Sequence, residues 1–220
     1  MRILTGTTTG IFFLVMLLAG LTSGADAAVI TFQASNEFSG GTSPAGAAPW
    51  VTATFQDTVP GVVTMTLTAT NLTGSEFISN YYFNIDSSMN PSNLTFSAPV
   101  KTGSFTSPSI NLGTDSYKAD GGGYFDINLS FATSSGANSR FTAGDSVSYT
   151  ISGVSGLSAS SFNFLSSPSG GNGVHPDASH VQGIGTDGSY SGWVSTPEPA
   201  TMGLLVLGGL AMLARRKRQP

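Results

Sequence analysis

The central part of this 220-residue chain predicts an all-β fold, an antiparallel β-sandwich with the jelly roll as one possible connectivity. Three observations carry that reading. Apolar and polar residues alternate with a period of two in several short runs. Gly, Pro, Asn, Asp and Ser fill the gaps between the runs, as turns require. Between the two ends no long segment keeps a 3.6-residue period, so the crossover helices that parallel strands need are missing.

Residues 29–34 and 50–56 open the series of strands. In residues 63–70, VTMTLTAT, one face is apolar and the other is entirely Thr. That pattern suits a half-buried strand, because β-branched Thr fits the pleated solvent side. Residues 77–85 and 94–98 follow. Phe125, Ile127, Leu129 and Phe131 alternate with Tyr124, Asp126, Asn128 and Ser130. Val147, Tyr149 and Ile151 alternate with Ser146, Ser148 and Thr150. A strand through Phe162 and Phe164, then residues 180–184 and 192–194, brings the count to about nine or ten, which suits a sandwich. Residues 166–180 read as a long surface loop. The stretch from residue 189 onward reads as a linker.

Composition narrows the function classes. Charged residues make up 9 % of the chain, against the roughly 25 % usual in soluble domains. Hydrophobic residues reach 40 %, with 14 Phe and 6 Tyr, enough to build a core. Residues 28–195 contain Lys101, Lys118 and Arg140 against ten acids, a net charge of −7. No basic patch exists for nucleic acid. The absence of cysteine excludes disulfides, thiol catalysis and thiolate metal sites.

The two ends differ from the middle. Arg2 and the free amine precede an apolar run of 11 residues, 11–21. Ala25-Asp26-Ala27 then offers small residues at the −3 and −1 positions of a signal-peptidase site. The run is shorter than the ~20 residues of a spanning helix. Residues 1–27 are therefore expected to be a signal peptide, cut after Ala27, that takes the rest across the inner membrane.

At the other end, Pro197 and Pro199 bracket Glu198 and hold the segment extended. Residues 200–214 carry no charge and reach roughly 22 Å as a helix. Arg215, Arg216, Lys217 and Arg218 follow as stop-transfer cations that stay cytoplasmic. Such a tail can be a permanent membrane anchor, a buried core helix or a sorting signal with a transient anchor. The abrupt start of RRKR after a uniformly apolar run argues against the core helix.

Pro197-Glu198-Pro199, the short apolar helix and the terminal Arg-rich cluster together resemble the PEP-CTERM sorting domain of Gram-negative bacteria. The resemblance covers about 25 residues, and its specificity lies in the order of the three parts. It implies recognition of residues 196–218 by an exosortase, cleavage near the motif, and transfer of residues 28–195 to the cell surface or extracellular matrix. Proteins carrying this domain commonly accompany exopolysaccharide.

Within the middle, His175 and His180 flank Asp177, but their spacing fits no metal template. Asp120 and Asp126 surround a Gly run that could serve calcium, yet the EF-hand pattern is missing. A hairpin connection and a loop with two solvated imidazoles are the plainer readings. No G-x-S-x-G elbow appears. Trp50, Tyr81, Tyr82, Tyr190 and Trp193 could stack on sugar rings, with Trp193 expected to be the most exposed. The sequence therefore points to a non-enzymatic, cofactor-free surface or matrix protein with a structural or adhesive role. A carbohydrate-binding module for the exopolysaccharide is the alternative, and a secreted hydrolase comes third.

Overall fold

A computed structural model describes residues 27–134, 136, 139–168 and 170–198. The strands are β1 (Val29–Ala34), β2 (Asn36–Glu37), β3 (Val51–Val59), β4 (Val62–Ala69), β5 (Phe77–Phe83), β6 (Thr95–Phe96), β7 (Val100–Thr102), β8 (Ser109–Lys118), β9 (Tyr124–Ser130), β10 (Phe141–Thr142), β11 (Ser146–Ser152), β12 (Asp177–Ile184) and β13 (Tyr190–Ser195). One sheet runs β1-β3-β4-β11-β6, with β7 also on β11. The other runs β2-β13-β12-β5-β9-β8, with β10 also on β5. Every pairing is antiparallel, and β3–β4, β8–β9 and β12–β13 join neighbours in the chain.

The inward faces of both sheets enclose one core. Phe55 of β3 sits at its middle, 4.7 Å from Phe162, 5.1 Å from Phe83 and 5.8 Å from Phe32 between ring centroids. Phe131, Phe141 and Phe105 form a second aromatic group, with Phe141 4.5 Å from Phe131 and 4.8 Å from Phe105. Offset and edge-on pairs of this kind add to plain burial. The alternation of β4 is realised as read: Val63, Met65, Leu67 and Ala69 are buried and the threonines face outward.

The outer face of the first sheet is a hydroxyl and amide surface. Thr31, Thr54, Thr66, Ser148 and Val100 form one row across β1, β3, β4, β11 and β7. Gln33, Thr52, Thr68, Ser146 and Thr102 form the next. The charged residues of these strands, Asp57 and Lys101, stand at the inward register opposite buried Val63 and Val147. Thr66 and Ser148 share a 2.7 Å hydrogen bond within the first row, from β4 to β11.

Several expectations need correction. The run through Phe162 and Phe164 is not a strand, because Ala159–Phe162 is a 3-10 turn whose Phe162 fills the core. β12 starts at Asp177, inside the stretch read as loop. β13 runs Tyr190–Ser195, so the strand expected at 192–194 is present but longer, and it takes up the start of the stretch read as linker, lying between β2 and β12. β8 was not expected at all: its backbone is irregular between Leu112 and Tyr117, with Asp115 at φ 47°, and the alternation is lost there. No helix among the described residues is long and apolar enough to cross a membrane. The expected signal peptide through Asp26 and the helix after Pro199 lie outside the described residues.

Phe55→Ala is expected to cost about 3–5 kcal/mol of stability, the usual loss for a buried Phe truncated to Ala. Urea unfolding of the wild type and the variant checks this.

Candidate functional site

The end of the sandwich nearest the tail is tied down by β12. Ser35 N–H donates to the Ser195 carbonyl at 3.0 Å, fixing the end of β13 beside β2. One residue later, the Thr196 N–H donates to Asp177 Oδ1 at 2.7 Å. Tyr81 Oη donates to Asp177 Oδ2 at 3.3 Å. Asp177 is only 1 % exposed. Burial pushes its carboxyl up to about 6, although the bonds from Thr196 and Tyr81 work against the rise.

His175 closes the same corner. Its Nε2 lies 2.8 Å from the Asn172 carbonyl, which can only accept, so Nε2 carries the proton. Nδ1 then accepts from Ser195 Oγ at 3.0 Å. The ring stacks on Phe38 at 4.0 Å. Burial lowers the pKa of this imidazole, which is consistent with the neutral form. Gly122 makes the stack possible: a Cβ there would stand 2.4 Å from Phe38 Cε2 and 2.9 Å from His175 Cδ2. The segment before β12 is thus a loop held by side-chain bonds, and its His175 imidazole is packed and bonded where a solvated one was expected. Ser166 Oγ reaches the Gly122 carbonyl at 2.7 Å and receives the His175 N–H at 2.9 Å.

His180 lies on the outer face of the second sheet. Its ring stacks on Trp193 at 4.7 Å and 13°. Nδ1 is 3.0 Å from Ser79 Oγ and 3.3 Å from Gln182 Nε2. Burial lowers its pKa, with the negative charge of Asp120 acting the other way. Trp193 is half-buried between His180 and Tyr82, whose ring is 5.1 Å away. His180 covers one face of the indole and Tyr82 packs against it at a tilt of 43°, so Trp193 is less exposed than expected. Of the five aromatics considered for sugar stacking, Tyr190 is the exposed one, at 58 %.

The carboxylates of the Gly-run turn act separately. Asp120 is exposed at φ 26° in the connection between β8 and β9. Asp126 is buried and accepts from the N–H groups of Asp115 at 2.9 Å and Ile85 at 3.2 Å. Among the described residues, no three His, Asp or Glu side chains are placed to share a metal ion. Among the described residues two Ser–His pairs form, Ser195–His175 and Ser79–His180. Both serines are buried, at 0 % and 2 % exposure, out of reach of a substrate.

Pro197 and Glu198 are exposed immediately beyond the Asp177 tie. With Val29, Ile30, Phe32 and Leu165 they border a surface groove of about 260 Å³. Ala27, at the expected signal-peptidase site, is exposed at the opposite limit of the described chain. Ala25, Pro199, Arg215, Arg216, Lys217 and Arg218 lie outside the described residues.

Residues 195–218 match the family model of the PEP-CTERM protein-sorting motif. The match begins at Ser195, the last residue of β13, and contains all three parts read from the sequence. The chain thus carries the recognition signal of an exosortase, and the signal implies export to the cell surface or extracellular space. No curated protein and no solved structure matches the chain.

Two outcomes follow from this corner. Between about pH 4 and pH 6 the folded chain holds a proton on Asp177 that the unfolded chain has released, so this carboxyl's contribution to stability falls as pH rises through that window. Asp177→Asn keeps an acceptor for Thr196 and removes the charge. Its stability relative to wild type is expected to rise by up to about 3 kcal/mol between pH 4 and pH 7, then stay level. Urea unfolding at a series of pH values measures the difference, in which the opposite dependence of His175 and His180 cancels. For the tail, mass spectrometry of surface material is expected to find C-termini within residues 196–199, and only in cells that contain the exosortase. Extracellular chains still ending in Arg215–Arg218 would count against cleavage.

Proposed function

We propose that this chain is a non-catalytic matrix protein. A signal peptidase releases it at Ala27, the inner membrane holds it briefly through residues 200–218, and the exosortase passes it to the outside. There it associates with exopolysaccharide in a structural or adhesive role. The observation that carries this reading is the outer face of the first sheet. Two cross-strand rows, uncharged and made of Thr, Ser and Gln except for Val100 at the β7 end of one, present hydroxyl and amide groups on a rigid platform. Such groups exchange hydrogen bonds with a hydroxyl-rich polymer at little desolvation cost, since neither partner must give up a charge. The role needs no metal or cofactor.

A second reading, a carbohydrate-binding module with a defined subsite, draws support from the exposure of Tyr190. A hydrolase fits the geometry less well, because both serines paired with histidine lie in the interior.

Deleting the gene is expected to lower the yield stress of the producer's biofilm in rheometry. Re-expression of the intact chain is expected to restore it, and a version lacking residues 197–218 is expected to leave it low. A biofilm mechanically unchanged by the deletion would defeat the proposal.

A further inference from the structure

A polar cleft of about 370 Å³ lies where the β12–β13 hairpin meets the start of β5. Tyr190, Arg140, Asp187, Gln182, Ser75 and Ser189 line it. It is separate from the tail corner and meets the Trp193 stack through Gln182, whose Nε2 lies 3.3 Å from His180 Nδ1.

The local sequence builds this cleft. β12 bulges between Gln182 and Ile184, at Gly183 with φ 75°. A Cβ at Gly183 would stand 2.3 Å from the Ser75 carbonyl oxygen, so only glycine lets the two segments approach there. Bulges of this kind re-aim neighbouring side chains. The chain then turns through residues 185–189, closed by the Gly188 N–H donating to the Gly185 carbonyl at 3.1 Å.

Three side chains are held in defined positions. The Tyr190 ring lies over Gly185, where a Cβ would stand 2.9 Å from Cδ2. One side of the ring rests on backbone while the residue stays 58 % exposed. The Arg140 guanidinium sits 4.0 Å over the Phe77 ring, and its Nε and Nη2 donate to the Thr133 carbonyl at 3.0 and 2.8 Å. Those contacts fix the plane of the guanidinium before any ligand arrives. Asp187 Oδ1 accepts from Ser189 N–H and Oγ at 3.2 and 2.9 Å, which keeps the carboxylate charged and oriented.

The chemistry of this set selects a ligand class. A pyranose ring has a flat apolar C–H face that rests on an aromatic ring. Its vicinal hydroxyls ask for planar groups that donate or accept in pairs, which guanidinium, carboxylate and carboxamide supply. Arg140 and Asp187 cancel in charge, so the cleft offers polarity without a net field. An anionic sugar would meet both the Asp187 carboxylate and a domain of net charge −7.

We propose that this cleft binds one unit of an uncharged pyranose chain, with the sugar ring on Tyr190 and its hydroxyls bridging Arg140, Asp187 and Gln182. The inference deepens the carbohydrate reading given above and rests on it.

Isothermal titration of the full chain, held in a zwitterionic detergent without a sugar headgroup, tests this. The probes are cellohexaose, mannohexaose and isomaltohexaose, with a hexagalacturonate as the charged comparison. At least one neutral hexasaccharide is expected to bind saturably and the hexagalacturonate is not. Tyr190→Ala and Asp187→Asn are each expected to weaken binding roughly tenfold with the melting temperature unchanged, and Tyr190→Phe to retain it. Lack of saturable binding by all three neutral probes overturns the proposal. Binding that both variants leave intact also overturns it, while preserving sugar recognition elsewhere on the chain. A deletion strain whose matrix is restored by the Tyr190→Ala chain likewise keeps the structural role and removes the cleft.

Discussion

Burial of apolar side chains between two antiparallel sheets is the interaction on which everything else rests. The chain has no cysteine to crosslink it and few charges to pair, so the closing of the sandwich must come from packing and backbone pairing. Phe55 is the centre of that packing because it touches rings from both sheets and from the 3-10 turn at Ala159–Phe162. With the inward positions devoted to Phe, Val, Leu and Ile, the outward positions are free to carry hydroxyls. One sheet uses that freedom for an uncharged surface. The other uses it for the aromatic layer of Tyr82, Phe125 and Trp193 and for the ties that hold the chain's exit.

Much of this was legible where alternation was clean. β4, β9 and β11 were readable because apolar Val, Met, Leu, Ile, Phe and Tyr alternate in sequence with Thr, Ser, Asn or Asp. β8 was illegible because its irregularity between Leu112 and Tyr117 breaks the period, and a period-two search has no means to count across a bulge. Of β13 only residues 192–194 read as a strand, and the residues around them looked like a linker because Ser and Gly weaken strand propensity. Their pairing with β12 on one side and β2 on the other overrides it. Phe162 and Phe164 mimicked a strand, although Phe162 enters the core from a tight turn.

The site was legible only in part. The sorting motif is contiguous, so sequence order alone exposes it. The fate of Trp193 depends on its register opposite His180, a long-range fact that no local pattern carries. Likewise His175 looked solvated because its partners, Ser195, Asn172 and Phe38, come from three separate segments. The cleft around Tyr190 draws on β5, β12, β13 and the segment bearing Arg140. Its local hint was the Gly183, Gly185 and Gly188 series, whose positive φ angles shape the bulge and turn.

The position of β13 has a consequence for the timing of export. A chain threaded N-terminus first through a membrane pore delivers β13 after every other strand, yet β13 fills a gap between β2 and β12. The second sheet stays open until residue 195 has emerged, and the final stitch, Thr196 onto Asp177, forms only one residue upstream of Pro197. On the export route proposed above, the sandwich would close only as the sorting signal itself arrived, so that completion of the fold and presentation of Pro197 and Glu198 would coincide.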